Sequence, residues 1–351
     1  MNKFHILGGD RLRAMLYYGS QNAKVEEIPE PLVKPGTVKV KIKYAGICGT
    51  DVHEYHDQMY VTQTPMILGH EFAGEVVEIG EGILQFQVGD RVVVEPISGC
   101  GECVSCEDGY YNTCEHLQAY GLHHPGGFAE YVVVKEKNLV LLPDSLSYEL
   151  ASLVEPTAVA MQAVKSSTLK IGDKVVVFGA GPIGMLITQC AKAAGASQII
   201  VVEIEEKRQQ LALEMGVDFV IDPTKVDVVQ KIKELTAKGA NVAFEASGAE
   251  PAFRTALECL RPHGELMIVS VFKKPISYSP LLQQKGVKKI HTSRAYKNLF
   301  PEVMTLIGNG TLNVKPIITS KIKLDEIVEF GFNKLTANKE ECKILVSPEM
   351  N

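Results

Sequence analysis

The chain has 351 residues, 46% of them apolar and 22% charged, with a formal net charge of −6. That balance fits a globular protein of about two domains. It offers no basic block to a nucleic acid and no apolar run near the roughly 18 residues that a bilayer demands. Behind Met1-Asn2-Lys3-Phe4-His5 there is no long apolar segment, so a chain kept in the cytoplasm, without a secretory leader, is expected.

Residues 38–45 alternate apolar and basic side chains with period two, the mark of a half-buried strand. Further strand-like runs at 73–79, 91–94 and 130–134 are separated by glycine-rich turns, which predicts a β-rich first domain with long functional loops. From about residue 170 the rhythm changes. Val175-Val176-Val177-Phe178 is a continuous apolar run of the buried, parallel kind. A helical pattern of Ile183, Leu186, Ile187, Cys190, Ala191 and Ala194 follows, with Pro182 in its first turn and Gly195 at its end. Strands at 199–203, 217–221, 241–245, 265–271 and 287–292 then alternate with helices at 206–215, 225–237 and 251–260. Such alternation predicts a doubly wound parallel sheet. After about 295 a helix (301–308), an extended stretch (315–322), a helix (324–335) and a strand (342–346) are too little for a domain. They are expected to rejoin the first, giving 1–157 with 295–351 as one domain and 158–294 as the other.

Gly179-Ala180-Gly181-Pro182-Ile183-Gly184 follows a predicted strand and opens a predicted helix, in a βαβ unit whose second strand ends at Glu203. In that context the pattern reads as a dinucleotide fingerprint. Gly179 makes the tight turn, Gly181 lets the backbone approach the pyrophosphate, and Gly184 lets helix pack on strand. Pro182 and Ile183 open the helix whose free N–H groups and dipole favour the diphosphate. Glu203 is placed to accept from the adenosine ribose hydroxyls and to repel a 2′-phosphate, which favours NAD. Lys207 and Arg208 close by leave NADP as the alternative, with Arg208 counted as a cofactor contact.

Cys100-x2-Cys103-x2-Cys106-x7-Cys114 puts four soft ligands on a short loop. In a long chain with no signal segment this reads as metal-binding, not as a disulfide framework. Four thiolates with no open position suit a structural zinc. The bacterial iron–sulfur run has three residues before its fourth cysteine and a proline after it; here there are seven, and Glu115 follows. Cys48, His70, Glu71 and Glu155 lie too far apart for spacing to assemble them. Taken singly, Cys48 reads as a small buried hydrophobe, His70-Glu71 as a surface turn and Glu155-Pro156 as a helix start.

Taken together, Cys48-Gly49-Thr50-Asp51-Val52-His53, Gly69-His70-Glu71, the four-cysteine lobe, Val154-Glu155-Pro156 and the glycine-rich turn resemble the zinc-dependent medium-chain dehydrogenases. The likeness runs from about residue 13 nearly to the end. It is strongest toward the polyol branch, through Gly127-Phe128-Ala129-Glu130-Tyr131, Val242-Ala243-Phe244-Glu245 and Lys343-Ile344-Leu345-Val346-Ser347-Pro348.

The resemblance implies a GroES-like catalytic domain beside a Rossmann domain, and one catalytic and one structural zinc per chain. Cys48 and His70 would bind the catalytic zinc, with Glu71 and Glu155 as its carboxylates. Asp51 would orient the His70 ring, and Thr50 and His53 would relay the proton. Tyr296 would line the substrate pocket. A small alcohol or ketone and NAD would be the partners of a homo-oligomer, dimer or tetramer. The segment from Cys48 to His70 is shorter than in the butanediol enzymes, which leaves the alcohol open among secondary alcohols, vicinal diols and polyols. Threonine and sugar-phosphate alcohol dehydrogenases, or a dinucleotide-binding protein without activity, are the alternatives.

Overall fold

The computed structural model describes residues 10–350; the N-terminal stretch read above for a leader lies outside them. They form two compact units. The first holds the chain up to Glu155, Phe300–Gly308 and the residues from Ile318 onward. The second holds Pro156–Leu299 and Asn309–Ile317. The boundaries differ by a few residues from 157/158 and 294/295, and the 309–317 segment, expected with the first unit, belongs to the second. No helix among the described residues is long and apolar enough to cross a membrane.

The first unit is built on a seven-stranded sheet. Its central strand, Thr37–Gly46, pairs antiparallel with Glu71–Ile79, with Tyr131–Lys135 and with the late strand Lys343–Ser347. Ile318–Lys323 lies parallel to Lys343–Ser347 at one edge. Arg91–Val94 and Leu139–Leu141 extend the other. A smaller sheet of Asn22–Pro29, Arg11–Gly19 and Met66–Ile67 stands beside it. Alternate residues of Thr37–Gly46 (Val38, Val40 and Ile42) enter a core with Phe72, Val92, Phe128, Val132 and Ile344, as the period-two pattern requires. The lysines between them, Lys39, Lys41 and Lys43, reach Glu30, Glu78, Glu75 and Glu349 on the other face.

The second unit is a six-stranded, wholly parallel sheet. Its strand order is Phe219–Ile221, Gln198–Val202, Lys174–Phe178, Ala240–Glu245, Leu260–Ile268, Lys289–Thr292. In chain order that is 3-2-1-4-5-6, the arrangement of two mononucleotide-binding halves meeting at one switch point. The helix Pro182–Ala193 follows the first strand, capped by Gly181 and ended at Gly195 in the left-handed region. Gly184 is obligatory here: a Cβ would run into the Gly179 carbonyl, so only glycine lets the helix pack this close to the strand.

Candidate active site

Two groups of metal-ligating side chains stand out among the described residues, both in the first unit. One is the cysteine lobe. Cys100, Cys103, Cys106 and Cys114 offer sulfurs all within 4.8 Å of one another. None is in a disulfide, and the Sγ atoms of Cys103 and Cys114 stand 3.8 Å apart. A disulfide needs about 2.05 Å. A tetrahedron of zinc–sulfur bonds of about 2.3 Å has edges of about 3.8 Å. Backbone N–H groups of Cys100 and His116 donate to Cys114 Sγ at 3.2 and 3.3 Å, bonds that suit a thiolate. The backbone amides of Glu115 and Cys106 draw the Cys103 thiol down to about 6. The Gly101 amide draws on Cys106 likewise, yet burial and the neighbouring sulfurs push that thiol up to about 11. Four thiols this close cannot all ionise without a compensating cation, and the donor set fits a closed zinc site.

The second group is Cys48, His70 and Glu71, again with ligand atoms within 4.8 Å. The fold assembles it from two neighbouring strand ends. Cys48 follows the central strand and caps the helix Gly49–Asp57, while Glu71 begins the strand paired with it and His70 stands just before that strand. In that pairing Gly46 stands opposite Glu71.

Asp51, fully buried, ties the two sides together. One carboxylate oxygen accepts from Cys48 N at 2.9 Å. The other accepts from Gly69 N at 3.2 Å and stands 3.5 Å from His70 Nδ1, longer than a well-formed hydrogen bond. Burial pushes the His70 ring toward its neutral form, but Asp51 and Cys48 beside it outweigh burial and hold its pKa well above the ordinary histidine value. A sulfur, an imidazole nitrogen and a carboxylate in one buried cluster are the three-ligand set of a zinc site that keeps a position open.

Glu71 is more constrained than sequence reasoning suggested. Both its oxygens contact Lys343 Nζ, at 2.8 and 2.6 Å, and the ammonium also donates to the Ile47 carbonyl at 3.0 Å. Burial favours a neutral Lys343, but Glu71, then Cys48, outweigh it and raise its pKa. In the sequence Lys343 stands out only as part of the motif Lys343-Ile344-Leu345-Val346-Ser347-Pro348. Its signal was a charged residue opening an otherwise apolar strand, which a buried counter-ion explains. Glu155, in the first turn of Val154–Ser166, is buried and near enough for its charge to act on Lys343. It does not join the cluster of Cys48, His70 and Glu71. Thr50 and His53 sit three residues apart on the helix Gly49–Asp57, hence on one face, both partly exposed.

In the second unit the glycine-rich turn lies at the C-terminal end of the first strand, where a doubly wound sheet receives its ligand. Glu203, just past the second strand, is 7% exposed. One of its oxygens accepts from Ala180 N, inside the turn, at 2.7 Å. The other accepts from the amides of Ile204 and Glu205 at 2.8 and 2.9 Å. Glu203 thus braces the turn, a task the sequence analysis had not assigned to it. Arg208 brings its Nη1 to 3.8 Å from where a Cβ of Gly181 would stand, beside the helix N-terminus. Tyr296 is fully buried in this unit.

Residues 34–144 match the family model of the alcohol dehydrogenase GroES-like domain, and 182–309 that of the zinc-binding dehydrogenases. The chain belongs to the zinc-binding dehydrogenases. It is an oxidoreductase of that family, α/β in class, with a GroES-like and a Rossmann-type part. It is 43% identical to (R,R)-butanediol dehydrogenase of Bacillus subtilis over 96% of this chain and all of that one. The crystal structure of 2R,3R-butanediol dehydrogenase from the same organism covers 96% of this chain and 100% of its own, with a TM-score of 0.91. A sorbitol dehydrogenase of Halalkalibacterium halodurans is 35% identical over 94% of this chain and 97% of its own. A crystal structure from Sinorhizobium meliloti 1021, described as a zinc-binding dehydrogenase bound to NADP, is 30% identical. It covers 97% of this dehydrogenase and 100% of its own chain, with a TM-score of 0.92. Within the family this dehydrogenase stands on the polyol branch, and zinc and a nicotinamide dinucleotide are its cofactors.

Proposed function

We propose that this dehydrogenase oxidises a vicinal diol or related secondary alcohol to the ketone, with 2,3-butanediol and acetoin as the first pair to test, and uses NAD. The observation that carries the reading is the buried group of Cys48, His70 and Glu71 in a chain so similar to a butanediol dehydrogenase. The segment between Cys48 and His70 is short for a butanediol enzyme, but 43% identity to one over 96% of the chain favours that substrate. Sorbitol-like polyols are the second reading, favoured by the likeness to a sorbitol dehydrogenase.

Cys48, His70 and a buried carboxylate would hold the catalytic zinc, and Cys100, Cys103, Cys106 and Cys114 a structural one, two ions per chain. When bound, the catalytic zinc supplies Lewis acidity toward the substrate hydroxyl. Asp51 fixes the backbone amides of Cys48 and Gly69 and would orient the His70 ring, whose Nδ1 stands 3.5 Å away, so that the ligands are preorganised. Lys343 shares Glu71 with any metal, and Glu155, buried and close enough to act on Lys343, is the second carboxylate of the reading. Thr50 and His53, aligned on one helix face, would pass the hydroxyl proton toward solvent. The glycine-rich turn and the N-terminus of Pro182–Ala193 would take the diphosphate. Glu203, whose charge repels a 2′-phosphate, would favour NAD, with Arg208 beside the diphosphate. On this reading residues 1–157 with 295–351 form the catalytic domain and 158–294 the NAD-binding domain. A homo-oligomer in the cytoplasm is the expected setting, which sedimentation and fractionation would check.

The test is a panel of vicinal diols, polyols, secondary alcohols and L-threonine assayed with NAD and with NADP. The reading expects the highest kcat/KM for a vicinal diol with NAD. A preference for threonine or for a primary alcohol would overturn it.

A further inference from the structure

One fully buried carboxylate in the second unit, that of Glu245, has no part in the glycine-rich turn. Glu245 ends the strand Ala240–Glu245, the first strand beyond the point where the sheet order reverses. One of its oxygens accepts from Ser247 N at 2.9 Å, Ser247 Oγ at 2.5 Å and Gly248 N at 3.0 Å. The other accepts from Ser270 Oγ and, at 3.3 Å, shares the Gly248 amide. Its main-chain carbonyl accepts from Val269 N and Ser270 N at 2.9 and 3.2 Å. A single residue therefore ties together the loops that leave two adjacent strands.

The same loop reaches the glycine-rich turn. Ala246 N donates to the Phe178 carbonyl at 3.0 Å, and Ser247 Cβ would stand 3.1 Å from a Cβ at Gly179. A carboxylate is expensive to bury unless hydrogen bonds replace its water, and here they come from the two loops. The structure thus spends a buried charge on fixing loop shape at the switch point.

Each half of a doubly wound sheet takes one nucleotide of a dinucleotide. The glycine-rich turn and Glu203 belong to the half formed by the first three strands, which leaves the nicotinamide nucleotide to the half that Glu245 opens. We propose that Glu245 is a positioning residue for the nicotinamide ring of the cofactor, holding residues 246–248 and 269–270 as a preformed wall. The inference rests on the dinucleotide reading given above. It assigns Glu245 no contact with the reacting atoms.

The test compares binding of NAD and of ADP-ribose, which lacks only the nicotinamide, by titration calorimetry on the zinc-loaded, full-length protein. Glu245→Gln removes one acceptor oxygen, and Ser270→Ala removes one donor while leaving the carboxylate in place. Loosening a charge-assisted network of this kind should weaken NAD by about tenfold in Glu245→Gln and by less in Ser270→Ala. ADP-ribose affinity should stay within about twofold in both, a split that a general loss of domain stability does not produce. Unchanged NAD affinity in both variants, or an equal loss for the two ligands, overturns the inference. A wild-type chain that binds ADP-ribose and no dinucleotide overturns it too, and one that binds neither overturns the dinucleotide reading as well.

Discussion

Lys343 and Glu71, 272 positions apart in the chain, form a completely buried ion pair beside Cys48 and His70. Breaking such a pair from one side leaves a charge with neither water nor partner, at a cost of about 3–5 kcal/mol. Lys343→Met should therefore destabilise the metal-free protein by about that much in chemical denaturation. The zinc-loaded protein should lose less, because a dication nearby also compensates Glu71. Adding Glu71→Gln to Lys343→Met should restore much of the loss; a double variant no more stable than the single would contradict the pairing.

The state of His70 makes metal uptake depend on pH in a definite direction. Its folded-state pKa lies well above the ordinary histidine value of about 6.5, despite burial, because Asp51 and Cys48 favour the charged ring. In the metal-free protein this contribution to stability is fully present below about 6.5 and is lost as pH rises through the folded pKa. A metal ligand must be the neutral ring, so protons compete with zinc over the same range. Zinc competition titrations should show affinity at this site falling as pH is lowered through the folded pKa, and NMR of the metal-free protein should show His70 titrating above 6.5. A normal or lowered His70 pKa would contradict the geometry.

Glu203 has two tasks, and its removal should show both. Glu203→Ala takes away the charge that disfavours a 2′-phosphate and also the acceptor that holds Ala180 N in the turn. The KM for NAD should rise by about tenfold or more, from the loss of hydrogen bonds to a charged group. The ratio of kcat/KM for NAD over NADP should fall, with NADP itself gaining little because the turn is loosened. An unchanged ratio measured side by side on purified protein would remove Glu203 from cofactor choice.

On the proposed reading the lobe serves the fold and not the chemistry. Cys106→Ser should release one zinc per chain and lower the thermal midpoint, since a structural zinc contributes directly to folding. Activity per folded molecule should change little at temperatures well below the midpoint. Unaltered zinc content in that variant, read by elemental analysis, would show that the four sulfurs are not a zinc site.

How much of this was legible in the sequence depended on the range of the contacts. The cysteine lobe could be read as a cluster because its ligands are close along the chain, and the structure brings their sulfurs within 4.8 Å of one another. The parallel sheet was legible from continuous apolar strands alternating with helical periods. The strands Arg11–Gly19 and Asn22–Pro29 were missed, in the first case because Ala14, Met15, Leu16 and Tyr17 are all buried and break the alternation. The 324–335 stretch, read as one helix, is a short 3-10 turn and a π-helical segment, Ile327–Asn333, before the final α-turn Lys334–Ala337. Cys48, His70 and Glu71 could be assembled only by resemblance, because strand pairing, not spacing, joins them. Lys343 and Glu245 escaped for the same reason: a buried charge shows its purpose only when its partner is seen.

The most direct test is zinc content and diol oxidation measured together on the wild type and on Cys48→Ser. The wild type should hold two zinc ions per chain. The variant should hold one, keep its fold by circular dichroism, bind NAD, and lose alcohol oxidation. A variant that retains two ions, or that still turns over the diol with NAD, would contradict a catalytic zinc site at Cys48 and His70.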